Sequence, residues 1–215
     1  MSQAPMAAGG LDPDTALMLS VRAGEPEAFE RLVERHRLPL VQFLYRMVQD
    51  REAAEELAQE IFLRVYRSRG RYQPSARFTT WLYRIATNLA LNWLRHERRR
   101  SGLLSMDAER APGLPSQWPA AAPTPEELLV GRAQAERVRR AVAALPGRQR
   151  AVVLLHKYHE MDYEQIAATL GCSVQAVKSL TFRAYANLRK ALAAETSERV
   201  RAVGTQPHLA LVFQS

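Results

Sequence analysis

A single cysteine, Cys172, occurs in a chain of 215 residues. It excludes a disulfide within the chain and fits a reducing compartment. Long apolar runs are missing too, and none approaches the roughly 20 residues that cross a bilayer. The opening residues, MSQAPMAAGG, have neither the basic nor the apolar region of a secretory leader. These absences lead us to expect a soluble cytoplasmic protein with no membrane insertion. No glycine-rich phosphate loop and no nucleophile motif occurs, so no enzyme activity, small-molecule substrate or cofactor is expected. His156 and His159, with Cys172 beyond them, match no zinc spacing, and no metal is expected either. Strand-type alternation is absent as well, which leaves an all-α fold.

Charge is present in excess of one sign. Thirty Lys and Arg face 22 Asp and Glu, for a formal charge of +8 and a pI near 10.1. Such a balance favours a polyanionic partner, nucleic acid before membrane.

The chain reads as two small helical domains joined by a flexible linker. Residues 1–11 suggest a disordered tail and 12–100 a first helical domain. Its helices are expected at Asp14 to Ala23, closed by Gly24; in a run from Pro26; in a third run with Leu40, Phe43, Leu44 and Met47, separated from the second by Pro39; at Arg51 to Arg69, capped by Asp50; and at Thr80 to Arg100 after a loop from Gly70 to Thr79. Residues 101–125 carry five prolines from Pro112 to Pro125 among small and polar residues, a linker composition. A second helical domain covers 126–193, with helices near 126–144, 148–160, 162–170 and 174–193. Residues 194–215 are expected to form a C-terminal tail.

The stretch from Met161 to Arg189 reads as helix, turn, helix. Asp162 with Gln165 is a capping-box pattern. Ile166, Ala167 and Leu170 form the inner side, Gly171 suits a left-handed helix end, and Ser173 caps the second helix. Val177, Leu180, Ala184 and Leu188 share one face of that helix, while Gln175, Lys178, Ser179, Phe182 and Arg183 point outward. Hydrogen-bonding groups, positive charge and a ring on one helix face suit the major groove of duplex DNA. An ordinary helical hairpin with a solvated basic face has the same local pattern, so the rest of the chain must decide.

In the first domain, the helix from Asp50 begins acidic and ends basic. Leu57, Ile61 and Val65 recur at helical spacing and should pack inward, leaving Glu56, Gln59 and Glu60 outward. Carboxylates repel phosphate, so a basic protein surface is their expected partner. Arg64, Arg67, Arg69 and Arg71 follow, interleaved with Tyr66 and Tyr72. Cations with rings suit single-stranded DNA, where rings stack on bases and cations hold the backbone. Trp81, Leu82, Ile85, Ala86, Leu89 and Trp93 gather as core, with Arg84, Asn88 and Arg95 at the edge and outside. Tyr72, Phe78 and Tyr83 are the rings expected to meet bases.

Glu55-Glu56-Leu57-Ala58-Gln59-Glu60-Ile61-Phe62 and Phe78-Thr79-Thr80-Trp81-Leu82-Tyr83-Arg84-Ile85-Ala86-Thr87-Asn88 together resemble region 2 of the extracytoplasmic-function RNA polymerase sigma factors. Leu145-Pro146, Tyr163-Glu164-Gln165-Ile166-Ala167, Val177-Lys178-Ser179 and Phe182-Arg183-Ala184 resemble their region 4. The resemblance spans about Asp12 to Leu192 and has both motif sets in order. It implies that Glu56, Gln59, Glu60 and Phe62 dock on the β′ clamp helices of core RNA polymerase, with the β flap as a further contact. Arg64, Arg71, Tyr72, Phe78, Tyr83, Arg84 and Asn88 would hold the opened -10 promoter strand, with a base pocket in the loop from Tyr72 to Thr79. Gln175, Lys178, Ser179, Phe182 and Arg183 would read the duplex -35 element. An anti-sigma factor is a further partner that the resemblance implies. The chain departs from the family where Gln175-Ala176 replaces a common Gly-Thr and Leu180 a common Arg. The competing reading is a two-domain helix-turn-helix regulator that binds an operator without a polymerase.

Overall fold

The computed structural model describes residues 12–100 and 125–204, and these hold eight α-helices, one short 3-10 turn (Arg69–Arg71) and no strand. The expected N-terminal tail and most of the proline-rich linker lie outside the described residues, as does the end of the C-terminal tail.

Helix α1 (Pro13–Ala23) starts where Asp12 accepts the Thr15 backbone N–H at 3.2 Å, with proline in the first turn. Gly24, at φ 103°, takes the left-handed position that ends it. Helix α2 (Pro26–Val48) runs unbroken through Pro39, where the sequence suggests an interruption. Proline inside a helix costs about 3 kcal/mol or more. Leu32, Leu40, Phe43, Leu44 and Met47 flank it and are fully buried. At about 1.5–3 kcal/mol per buried large side chain, their packing on one continuous helix outweighs that cost.

Gln49 ends α2 in a left-handed conformation and Asp50 opens α3 (Arg51–Arg67), its carboxylate accepting the Ala53 N–H at 2.9 Å. Ile61 and Val65 are fully buried as expected, with Leu57 half-buried. Helix α4 (Phe78–Arg100) begins earlier than the Thr80 expected, because Phe78 is core and its N–H donates to the Thr15 hydroxyl at 3.3 Å. Asp14, buried beside Thr15, accepts from His36 at 2.9 Å and from Arg35, tying α1 to α2.

In the second half, α5 (Pro125–Ala143), α6 (Gly147–Tyr158), α7 (Tyr163–Leu170) and α8 (Val174–Gly204) pack by α6–α8, α7–α8 and α5–α8 contacts. The capping box at α7 is complete: Asp162 accepts the Gln165 N–H at 2.7 Å and the Gln165 side chain accepts the Asp162 N–H at 3.0 Å. Gly171 sits at φ 59° and Ser173 accepts the Ala176 N–H at 3.2 Å. Helix α8 continues to Gly204, past the end expected at residue 193.

The two halves touch. Helices α6 and α7 lie against α4, and α6 also meets α2. Gly147 opens α6 so close to α4 that a Cβ there would stand 2.9 Å from a Leu91 methyl and 3.4 Å from one of Leu94. Replacing Asp162 with alanine should remove the capping box and lower stability by about 1 kcal/mol, read as a lower urea midpoint at unchanged slope.

Candidate nucleic-acid and protein interfaces

On α8 the two faces separate cleanly. Val177 and Ala184 are fully buried and Thr181 nearly so, its hydroxyl donating to the Val177 carbonyl at 2.9 Å. Leu180 and Leu188 are half-buried against the core. Gln175, Lys178, Ser179, Phe182 and Arg183 are exposed. Phe182 has 76% of its surface in solvent, more than any other large apolar side chain described. Ser179 donates to the Gln175 carbonyl at 3.1 Å and Arg183 to the Ser179 carbonyl at 3.2 Å, so both side chains lie along the helix, and the guanidinium keeps donors to spare.

The α3 candidates form a second surface. Glu56 and Gln59 are exposed and Glu60 is half-exposed. Arg64 donates to the Glu60 carboxylate at 2.6 Å, one turn away, and this bond holds that carboxyl below its ordinary range. Sequence alone gives these two residues to different partners; the structure pairs them. Phe62 is almost buried, its ring edge-on to Phe29 at 6.5 Å. Beside it, Phe29, Val33 and Val41 of α2 and Ala58, Leu63 and Tyr66 of α3 line an apolar groove rimmed by Glu30, Glu55, Gln59 and Arg37. This groove emerges only when α2 and α3 pack.

The basic surface differs from expectation in its rings. Arg64, Arg71, Arg84 and Asn88 are exposed as expected. Tyr72, Phe78 and Tyr83, expected as base-contacting rings, are 3%, 0% and 3% exposed. Tyr72 and Phe78 pack edge-on at 6.4 Å and both meet Trp81, at 5.1 and 6.0 Å; Phe78 also meets His36 at 5.4 Å. They are core of the first half, and burial raises the Tyr72 phenol pKa. Periodicity could not separate them from exposed rings, because the aromatic cluster closes over Thr15 of α1. Tyr66, 39% exposed, is the accessible ring of the basic stretch, with the Arg69 guanidinium 4.1 Å above it.

Tyr83 is covered differently. It packs against Phe43 of α2 at 5.1 Å and against His159, at the end of α6, at 4.2 Å. Its burial therefore depends partly on the second half. Burial raises its pKa. His159 also meets Phe43 at 5.5 Å; burial, with repulsion from Arg46, pushes its pKa down to about 4. His156 is elsewhere, its Nδ1 3.0 Å from the Met161 carbonyl and its ring against Tyr163 at 5.4 Å. Arg150 of α6 also lies at this junction. Its guanidinium donates to the carbonyls of Met47, Ala143 and Leu145. Burial, then repulsion from Arg98, lowers its pKa to about 10.

Both halves of the chain match known protein families. The Sigma-70 region 2 family matches residues 32–100 and the Sigma-70, region 4 family matches residues 135–188. The RNA polymerase sigma-H factor of Pseudomonas aeruginosa is 32% identical over 184 residues, 84% of this chain and 94% of the relative. RNA polymerase sigma factor CarQ of Myxococcus xanthus is 36% identical over 171 residues, 80% of this chain and 92% of the relative. The ECF RNA polymerase sigma-E factor of Escherichia coli is 32% identical over 172 residues, 80% and 90% respectively. Among solved structures, CnrH in complex with the cytosolic domain of CnrY superposes with a TM-score of 0.63 at 24% identity, covering 85% of this chain and 99% of that one. The sigma factor RpoE of Bartonella quintana, in complex with the anti-sigma factor NepR, gives 0.60 at 20% identity, with 76% and 96% covered.

Replacing Phe78 with alanine should cost about 3–5 kcal/mol of stability, as for a buried aromatic. Arg84→Ala should change stability by no more than about 0.5 kcal/mol. Chemical denaturation of the two variants measures the difference between a core ring and a surface cation.

Proposed function

This chain belongs to the extracytoplasmic-function RNA polymerase sigma factors, and we propose that its two halves divide promoter recognition between them. The observation that carries the reading is the outward face of α8, where Gln175, Lys178, Ser179, Phe182 and Arg183 stand exposed on a helix whose other face is core. That face reads the duplex -35 element. Lys178 and Arg183 hold phosphates or the acceptor edge of guanine, Gln175 and Ser179 supply hydrogen bonds, and Phe182 offers apolar contact to a thymine methyl or to sugar.

The first half docks on core polymerase and holds the opened -10 strand. Glu56, Gln59 and Glu60 present acidic and polar groups to a basic surface of the β′ clamp helices, and the adjoining apolar groove, with Phe62 in its wall, takes apolar side chains from the same partner. The second half has the β flap as its contact. Arg64, Arg71 and Arg84 hold the single-stranded backbone and Asn88 hydrogen-bonds a base. Tyr72 and Phe78 act as positioning residues beneath this surface, since rings buried edge-on against one another leave no face open to a base. The chain supplies no chemistry of its own; bond formation belongs to the polymerase, in the cytoplasm. The relatives crystallised with CnrY and with NepR suggest an anti-sigma factor as a further partner.

Mobility shift with promoter DNA tests the reading. Weak binding by the chain alone and specific, strand-opening binding with core polymerase are expected, whereas tight polymerase-independent binding as a symmetric dimer would favour the operator-binding regulator. Arg183→Ala should weaken -35 recognition by about 1–3 kcal/mol while leaving core affinity intact. Asn88→Ala should impair -10 opening at unchanged core affinity; an equal loss of both would make the residue structural.

A further inference from the structure

Two basic side chains, His159 and Arg150, are largely buried at the junction between the halves, and the charges that bear on them there, Arg46 and Arg98, are basic too. His159 sits between the rings of Phe43 and Tyr83, and its Nε2 is buried without a hydrogen-bond partner among the described residues. The groups that bear on it are Arg46 of α2, which also lies 4.3 Å above the Tyr158 ring, and the neutral Tyr83 phenol of α4. Neither favours an imidazolium there. Arg150 reaches from α6 to the Met47 carbonyl at the end of α2, and its Nε also lacks a partner. Below them α4 presents Tyr83, Thr87, Leu91 and Leu94 along one stripe at helical spacing. Tyr83 meets His159, Leu91 and Leu94 meet Gly147, and the Thr87 hydroxyl is fully buried without a partner.

We propose that this junction is an acid-released latch, in which neutral His159 seated on Phe43 and Tyr83 and Arg150 clasping the end of α2 hold the halves together, and in which protonating His159 lets them part. Opening hydrates the imidazolium and uncovers the Tyr83 to Leu94 stripe of α4. The latch stands on the geometry of the junction. Only the consequence that opening frees Tyr83 for promoter DNA rests on the sigma-factor reading, and the latch itself can be measured without DNA.

The direction follows from proton binding. A histidine in water titrates near 6.5, whereas burial and Arg46 hold His159 to about 4 in the closed form. Between these values the open form binds more protons, so closure is at full strength above the upper value and is lost progressively as pH falls through the window. The closed-to-open ratio should fall about tenfold by pH 5.5 and approach a limit of about 300-fold only well below the lower value.

Histidine proton NMR on the full-length chain tests this directly. The His159 resonance, assigned by its loss in His159→Asn, should titrate well below 6.5 in the native sequence, between that value and the closed form's value of about 4. Arg150→Met removes the clasp, and Gly147→Val forces α6 from Leu91 and Leu94 without touching either basic group. Each should move the His159 midpoint up toward 6.5 while leaving the ring resonances of Tyr72 and Phe78, in the first-half core, unchanged. Small-angle scattering should show native chain expanding on acidification and His159→Asn expanding less. A native His159 midpoint near 6.5 overturns the latch. So does a midpoint that stays low in both opening variants, or an equal acid expansion in His159→Asn.

Discussion

A buried guanidinium held by carbonyls rather than by a carboxylate governs how this molecule is put together. Arg150 is 7% exposed, and its partners are main-chain oxygens of Met47, Ala143 and Leu145. Met47 lies in the last turn of α2, where unsatisfied carbonyls carry partial negative charge that favours a cation. Ala143 and Leu145 end α5 and begin the turn into α6, so the same side chain fixes the α5–α6 corner and joins it to the other half. Taking Arg150 away would strand several carbonyls at about 1–3 kcal/mol each if they stayed buried. Because water can replace every one of these bonds once the halves separate, the joint is strong when closed and yet separable. The first-half core is different: Phe78, Leu32 and Phe43 would lose apolar burial that water cannot replace.

This distinction sorts the aromatic residues. Tyr72, Phe78 and Trp81 make one cluster within the first half, supported from α1 by the Thr15 hydroxyl on the Phe78 N–H. Their burial is as permanent as the fold. Tyr83 faces Phe43 on one side and the imidazole of the second half on the other. A ring covered by a removable partner can serve two states, whereas a ring covered by its own domain can serve only one.

Local physics was legible in the chain. Asp50 before a helix, the Asp162 and Gln165 pair, and glycine at positions 24 and 171 each act over a few residues, and the caps they make are present. The outward face of α8 was legible for the same reason, since helical periodicity assigns both faces at once. What could not be read depends on distant contacts. Pro39 stays helical because side chains on both flanks are buried by other helices, and no local rule weighs that burial against the missing N–H. The apolar groove of α2 and α3 exists only after pairing. Arg150 and Met47 are separated by 103 positions, and nothing near Arg150 distinguishes it from the solvated arginines around it.

The closed junction also constrains how tightly a partner can bind. A site that exists only in the open form is bound with an affinity reduced by the open fraction, so a tenfold closed bias costs about tenfold in apparent affinity. The α8 face and the α3 surface lie outside the junction and carry no such penalty, since Phe182, Lys178, Gln59 and Glu56 are exposed with the halves together. Only the Tyr83 stripe of α4 is gated. A partner that engages α3 and α8 first therefore forms contacts available in both states. If its geometry then holds the halves apart, that binding free energy offsets the cost of breaking the Arg150 and His159 contacts. Uncovering α4 becomes a consequence of docking, and the gated surface is presented only where the other two have found their places.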